Sequence, residues 1–311
     1  MTLQQLRYAL TISEAGSLNK AAEQLYMTQP SLSSAIHELE NELEISIFHR
    51  TSRGMVTTTE GSEFLAYARQ LYEQYELLIS RYSDSSLRKK KFSVSTQHYS
   101  FAVKAFVDTV KRFDSLQFDF SIQETKTKDV ILDVAELRSE IGILYQNSYN
   151  TKVITRLLKE KDLVFYPLIE CHANVYLWKE HPLAGEESIS ISQLEPYPCL
   201  LFEQGEESSS YYSEELLPDY EYPRRIKAND RASMINLMVG LNGYTLCSGI
   251  VCEELNGDDF VTVPFREEDE YLNENMTIGY IVKKQSLRSE VGEVYLEELK
   301  KYLNQLQGVC Y

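Results

Sequence analysis

Residues 28 to 43 read Thr28-Gln29-Pro30-Ser31-Leu32-Ser33-Ser34-Ala35-Ile36-His37-Glu38-Leu39-Glu40-Asn41-Glu42-Leu43. Leu32, Ile36, Leu39 and Leu43 recur at intervals of four, three and four, which draws one apolar stripe along a helix. Thr28 suits the N-cap of that helix and Pro30 its first turn. Ser33, Ser34 and His37 then project from the opposite face. A helix with small hydroxyl side chains near its start can press into a groove and donate hydrogen bonds to phosphates or base edges. Thr28, Gln29, Pro30, Ser31, Ser33, Ser34 and His37 are therefore candidate contacts to double-stranded DNA. Taken alone, the same face also reads as ordinary solvated surface.

The flanking residues place this helix in a small domain. Thr2 and Gln5 form a capping-box pair ahead of Leu3, Leu6 and Leu10. Gly16-Ser17 breaks that helix, and Ser17 is placed to cap a second one that turns Ala21, Ala22 and Leu25 inward. Tyr26-Met27 makes a short turn before Thr28. Downstream, Ile45, Ile47 and Phe48 predict a strand, Arg53-Gly54 a tight turn and Met55-Val56 a return strand. Two strands around an arginine-bearing turn make a wing, with Arg50 at its base and Arg53 at its tip, facing the DNA backbone or minor groove.

Thr58 opens a long helix along which Phe64, Ala68, Leu71, Tyr75, Leu78 and Tyr82 alternate at four and three. One apolar stripe on a lone helix needs a partner, and the economical partner is the same helix of a second copy. A homodimer of this kind spaces two DNA-reading heads for a two-fold symmetric site. Ser83-Asp84-Ser85-Ser86 then reads as a hinge, and Arg88-Lys89-Lys90-Lys91 as a solvated basic run.

A net charge of −16 looks hostile to nucleic acid, so its distribution matters. Residues 1–91 hold ten basic and eleven acidic side chains, leaving 21 basic and 36 acidic for the rest of the 311. The acidity belongs to the C-terminal part, and a nearly neutral head with its arginines on one surface can still hold phosphates. No apolar run approaches the roughly 20 residues that span a bilayer, and the N-terminus has no signal-peptide pattern. A cytoplasmic chain with no membrane association is expected. Five cysteines without a C-x-x-C pair read as reduced thiols, with a redox switch as the sharper alternative. Neither a metal nor a cofactor is expected.

Beyond residue 91 strands and helices alternate, which argues for parallel α/β sheets. Phe92-Ser93-Val94-Ser95, residues 118–124, 141–144 and 199–202 predict strands, and residues from about 100 to 113 a helix. Residues 203–222, rich in Glu, Ser and Tyr, predict an acidic surface loop or short helix.

The N-terminal motifs closely resemble the LysR-type transcriptional regulators. The matching stretches are Gly16 to Leu25, Thr28-Gln29-Pro30-Ser31-Leu32-Ser33, Ile36 to Leu43, Phe48 to Gly54 and Thr58-Thr59-Glu60-Gly61. The resemblance is strong to about residue 90 and looser beyond, where His181-Pro182-Leu183-Ala184 and Val239-Gly240-Leu241-Asn242-Gly243 follow the family's order. Two departures stand out: the basic residue common near Ser34 and His37 is missing, and Glu44 replaces a glycine.

The resemblance implies an α/β protein with an N-terminal winged helix-turn-helix (1–58), a linker and dimerisation helix (59–91), and a two-lobed sensor like the periplasmic binding proteins (92–311). Lobe I would comprise about 92–165 and 266–311, and lobe II about 166–265. It implies regulation of promoter binding by an effector, contact with RNA polymerase, and assembly as a dimer or dimer of dimers. In such folds ligands sit beyond the carboxyl ends of strands. That rule points to Thr96, Gln97, His98 and Ser100 at the first strand-helix turn, with Tyr145, Phe202 and Glu203 at later strand ends. Asn229 and Thr245 would form the far wall. Hydroxyls at a helix start suit a small anion such as a carboxylate. An enzyme with a DNA-binding appendage is the rival reading, but no nucleophile elbow, phosphate loop or zinc-protease motif supports it.

Overall fold

The computed structural model describes residues 1–51, 54–82, 89–113, 117–205, 209–266 and 275–306, without the side chains of residues 77 and 80–82. Arg53, the Tyr82 side chain, residues 83–88 and Cys310 thus lie outside the described residues. The chain divides into two compact units, residues 1–87 and 88–311.

The first unit is a helical head carrying a two-stranded wing. Helices α1 (Leu3–Ala15), α2 (Leu18–Gln24) and α3 (Gln29–Leu43) are followed by β1 (Phe48–Thr51), β2 (Gly54–Thr57) and α4 (Thr59–Tyr82). Thr2 and Gln5 close the capping box of α1, and Gly16, at φ 62°, ends it. Ser17 takes the N-cap position of α2 but makes no side-chain capping bond. Glu44 ends α3 at φ 56°, the left-handed conformation that a glycine adopts without steric cost.

Leu32, Ile36 and Leu39 bury against Leu6, Ala9, Leu10 and Ile12 of α1 and Ala21 and Ala22 of α2. The Glu40 carboxylate accepts from the backbone N–H groups of Ile47 (2.7 Å) and Phe48 (3.1 Å), fixing α3 to the wing. The wing strand begins at Phe48 and not at Ile45, because the Ile45 N–H is still bonded to the Glu40 carbonyl at the end of α3 and pairing with β2 starts at Phe48 opposite Thr57. Met55 N–H donates to the Gly16 carbonyl, and a Cβ at Gly54 would collide with that same oxygen.

The α4 stripe divides. Leu65 and Ala68 belong to the core of the head, with Phe64 and Tyr72 leaning on it, whereas Leu71 and Leu78 are 52% and 57% exposed and Tyr75 is half-buried.

The second unit is a two-lobed α/β domain. Lobe I contains β3 (Lys90–Thr96), α5 (Ser100–Arg112), β4 (Phe118–Glu124), α6 (Thr127–Ala135), β5 (Ile141–Gln146), α7 (Thr151–Glu160) and β6 (Leu163–Cys171). Lobe II contains β7 (Asn174–Trp178), β8 (Ile189–Ser190), α8 (Ile191–Leu194), β9 (Cys199–Phe202), β10 (Arg225–Ala228), α9 (Arg231–Leu241), β11 (Thr245–Cys247), α10 (Glu253–Asn256) and β12 (Phe260–Arg266). The chain returns to lobe I through β13 (Met276–Lys283) and α11 (Glu290–Leu306).

The lobe I sheet runs β4-β3-β5-β13-β6 and is mixed, not purely parallel. β3 pairs in parallel with β4 and β5, whereas the returning β13 pairs antiparallel with both β5 and β6. β6 pairs with β13 along its whole length, so the crossing into lobe II falls between Cys171 and Asn174, later than residue 165. In lobe II, β11-β7-β12-β8 form one sheet and β9 and β10 a parallel pair. One apolar cluster continues from Phe92, Phe101 and Tyr295 through Ile169 to Val175, Leu177 and Leu246. Of residues 203–222, predicted as a surface loop or short helix, Ser210–Tyr212 form one turn of 3-10 helix, but the described part is not all surface. Their Leu216 and Leu217 are buried in that cluster, which draws the segment inward over the cleft between the lobes.

Candidate functional site

The head turns its apolar stripe inward and leaves one side of α3 in solvent. Thr28, Pro30, Ser31, Ser34 and His37 are exposed, and Gln29 and Ser33 half-buried, so the seven sequence-selected residues line the start and outer face of one helix. Thr28 caps α3 through the Ser31 N–H, and the two hydroxyls are 2.8 Å apart. Arg50 is exposed on β1. Tyr26, which the helix periodicity does not single out, is 98% exposed at φ 53° in the turn leading to Thr28. Its only signal was a large aromatic in a two-residue turn.

In the second unit β3 ends in a turn that delivers His98 to the cleft, and β9 ends in Phe202 from the opposite lobe. The two rings stack with centroids 3.7 Å apart. Around them a cavity of about 90 Å³ is lined by Ser100, Arg231, Met234, Met238, Thr245 and Cys247, among others. The structure therefore gathers His98, Ser100, Phe202 and Thr245 around one space. Ser100 Oγ accepts from the Cys252 N–H at 2.9 Å, tying α5 to the chain after β11.

Gln97 and Tyr145 lie beneath this space. Gln97 Oε1 accepts from the Tyr145 N–H (3.0 Å) and the Tyr99 hydroxyl (3.1 Å), while its Nε2 donates to Thr127 Oγ1 at 2.5 Å. The Tyr145 hydroxyl donates to the carbonyls of Ser213 and Glu215. The remaining three are not brought to the cavity. Thr96 is buried and spends its hydroxyl on the Gln97 carbonyl. Glu203 faces Lys227 and accepts from the Gly205 N–H, which holds its carboxyl below the usual range. Asn229 is exposed just before α9.

Sequence reasoning missed the acidic pair that closes the cleft. Glu214 Oε2 accepts from the His98 backbone N–H (3.0 Å) and ring Nδ1 (2.8 Å), and its Oε1 from Gln204 Nε2 (2.8 Å). A carboxylate oxygen only accepts, which places the ring hydrogen on Nδ1. Gln204 Oε1 in turn accepts from the Thr127 N–H of lobe I. Glu215 is buried and accepts from the Phe202 N–H (2.6 Å) and Ser213 Oγ (3.0 Å). Burial, then the charge of Glu214, pushes its carboxyl up to about 7. Arg231 of lobe II forms an ion pair with Glu124 of lobe I across the same opening. The one signal in the sequence was Leu216-Leu217 directly after Glu214-Glu215, an apolar pair out of place in a surface loop.

A winged helix-turn-helix head joined to a two-lobed binding domain defines a ligand-responsive transcription regulator. Residues 3–62 match the model described as a bacterial regulatory helix-turn-helix protein of the lysR family, and residues 97–304 match the LysR substrate binding domain. The chain belongs to the LysR family of DNA-binding transcriptional regulators, with an effector-binding domain. It is 26% identical over 234 residues to a probable nitrogen assimilation transcriptional activator of Synechocystis, covering 72% of this chain and 69% of that protein. A RuBisCO operon transcriptional regulator of Allochromatium vinosum is 26% identical over 209 residues, with 66% and 65% covered. The chain thus spans about two thirds of the length of these relatives, which are regulators and not enzymes. In fold it is similar to full-length OxyR from Pseudomonas aeruginosa (TM-score 0.68, 18% identity, 96% and 95% covered). It is also similar to the LysR family regulator CbnR (TM-score 0.56, 14% identity, 97% and 99% covered).

Proposed function

We propose that the chain is a cytoplasmic homodimer, or dimer of dimers, that binds a partly symmetric promoter site and alters its contact with RNA polymerase when a small anion enters the interlobe cleft. The observation that carries the DNA half is the division of α3. Leu32, Ile36 and Leu39 are buried while Ser31, Ser34 and His37 are exposed, so the solvent face is free for a major groove. Arg50 on β1, together with Arg53 selected from the sequence, supplies backbone contacts that set register without reading sequence. Leu71, Tyr75 and Leu78 on α4 are left for the second copy. Among the described residues no helix is long and apolar enough to cross a membrane.

The effector half rests on the cavity between His98 and Ser100 of lobe I and Phe202 and Thr245 of lobe II. A ligand there touches both lobes and so favours one degree of closure over another, the differential contact that any allosteric response requires. Closure would be transmitted to the spacing of the two heads in a dimer. The anionic class follows from the donors at the first strand-helix turn.

Fluorescence anisotropy with DNA from upstream of the protein's own gene tests the reading face. S34A and H37A should each weaken binding to the specific fragment about 5- to 150-fold, the equivalent of roughly 1–3 kcal/mol per base contact. Affinity for unrelated DNA should stay unchanged. Equal loss on both DNAs would assign this face to phosphate contact alone.

A further inference from the structure

The strand-helix turn where an anion is expected already holds one, and it belongs to the chain. Three donors converge on the Glu214 carboxylate: the His98 N–H, the His98 ring and the Gln204 side-chain amide. Each is itself positioned. His98 lies flat on Phe202, and Gln204 is oriented by the Thr127 N–H. The His98 and Glu214 side chains are only 7% and 6% exposed. This is a preorganised receptor that satisfies both oxygens of a carboxylate, with donors drawn from both lobes.

The cavity beside it has about 90 Å³ of space, far below the roughly 300–1,000 Å³ of ordinary ligand pockets. Glu214 and Glu215 form part of its wall. The anchors on either side of Glu214 differ. Leu216 and Leu217 are buried in the core, whereas residues 209–213 meet lobe I through polar and ring contacts. Among them are the Tyr149 hydroxyl with Ser210 Oγ, the Tyr145 hydroxyl with the Ser213 carbonyl and the Tyr149–Tyr211 stack.

We propose that His98 and Gln204 form a carboxylate receptor in which Glu214 is a tethered occupant, and that a small carboxylic-acid effector takes its place and loosens residues 209–214 from lobe I. The inference rests on the cleft being the effector site. A side chain held in place by the fold, beside the buried Leu216 and Leu217, presents itself at an effective concentration well above the millimolar of a short flexible linker. A bare carboxylate therefore competes poorly, and an effective ligand adds contacts of its own. Met234 and Met238 offer an apolar wall and Thr245 and Ser248 hydroxyls for those contacts. The chain thereby sets a threshold concentration below which the acid does not act.

The test uses the full chain with sodium acetate as probe and sodium chloride at equal ionic strength as control. Hydrogen exchange of residues 209–222 and of the turn at His98 is followed together with thermal unfolding. Wild type should show no acetate-specific change at tens of millimolar. E214A should exchange faster over 209–214, and acetate alone should restore protection at His98 and raise the unfolding midpoint. A folded E214A that responds to acetate no more than to chloride overturns the proposal. Should E214A not fold, E214Q takes its place. Acetate should then accelerate exchange over 209–214 at a concentration that leaves wild type unchanged, and equal behaviour of the two overturns the proposal. An acetate response upholds the receptor whatever the DNA titrations give, and its absence removes the receptor while leaving the DNA-reading face untouched.

Discussion

The imidazole of His98 and the ring of Phe202 lie face to face, with centroids 3.7 Å apart and planes within 4°. One comes from the turn after β3 and the other from the end of β9, so the stack exists only when the lobes are closed. F202A removes the stack and its share of apolar burial, a loss of about 1–2 kcal/mol. The expected outcome is a lower unfolding midpoint and a larger radius of gyration by small-angle scattering. An unaltered scattering curve would show that the lobes are held by other contacts.

Glu215 gives the stability of this domain a pH dependence of definite sign. Its carboxyl ionises near 7 in the fold and near about 4.3 in the unfolded chain. The unfolded state therefore loses this proton first, and the group's contribution, full below the unfolded value, is lost as pH rises through the window up to 7. E215Q removes the titration. Compared with wild type it should gain up to roughly 3 kcal/mol between pH 4 and pH 8, read from urea denaturation at the two values. A difference that does not change with pH would contradict the buried-carboxyl account.

The head was largely legible in the sequence, because an apolar stripe at 3.6-residue spacing and a Thr-Gln-Pro cap depend only on local rules. Glu44 was legible as a departure from the family's glycine, and it keeps the left-handed conformation that the glycine would supply. The cleft was legible where a strand end dictated it, at His98, Ser100 and Phe202. It was not legible where distant segments meet. Glu214 and Gln204 are polar residues in a polar stretch, and only the burial of Leu216 and Leu217 shows that the stretch turns inward. Thr96 was misplaced because its hydroxyl finds a backbone carbonyl next door, a choice that strand alternation does not predict.

The exposed half of the α4 stripe makes its own prediction. L71E and L78E together should shift the protein toward monomer in sedimentation velocity and weaken DNA binding, because two heads no longer act as a unit. A68E should instead unfold the head, since Ala68 is buried in its core. Retained dimers in the double variant would move the interface elsewhere.

The cysteine nearest the cleft is a poor candidate for a thiol switch. Burial pushes the Cys247 thiol up to about 11 and raises Cys199 further, and an undissociated thiol is a weak nucleophile. C247S should leave DNA binding and its effector response unchanged, and the two proteins should respond alike to peroxide. A peroxide-dependent footprint lost in C247S would reverse this reading.

The most direct test of the central claim is a footprinting titration of the purified protein on DNA upstream of its own gene at several salt concentrations. The account predicts a discrete protected site whose two half-sites lie on one face of the duplex about one helical turn apart, or a multiple of it, weakening as salt rises. Diffuse, sequence-blind protection there and at every other promoter tried would contradict it, and would mean that the small, near-neutral face of Ser33, Ser34 and His37 holds DNA without reading it.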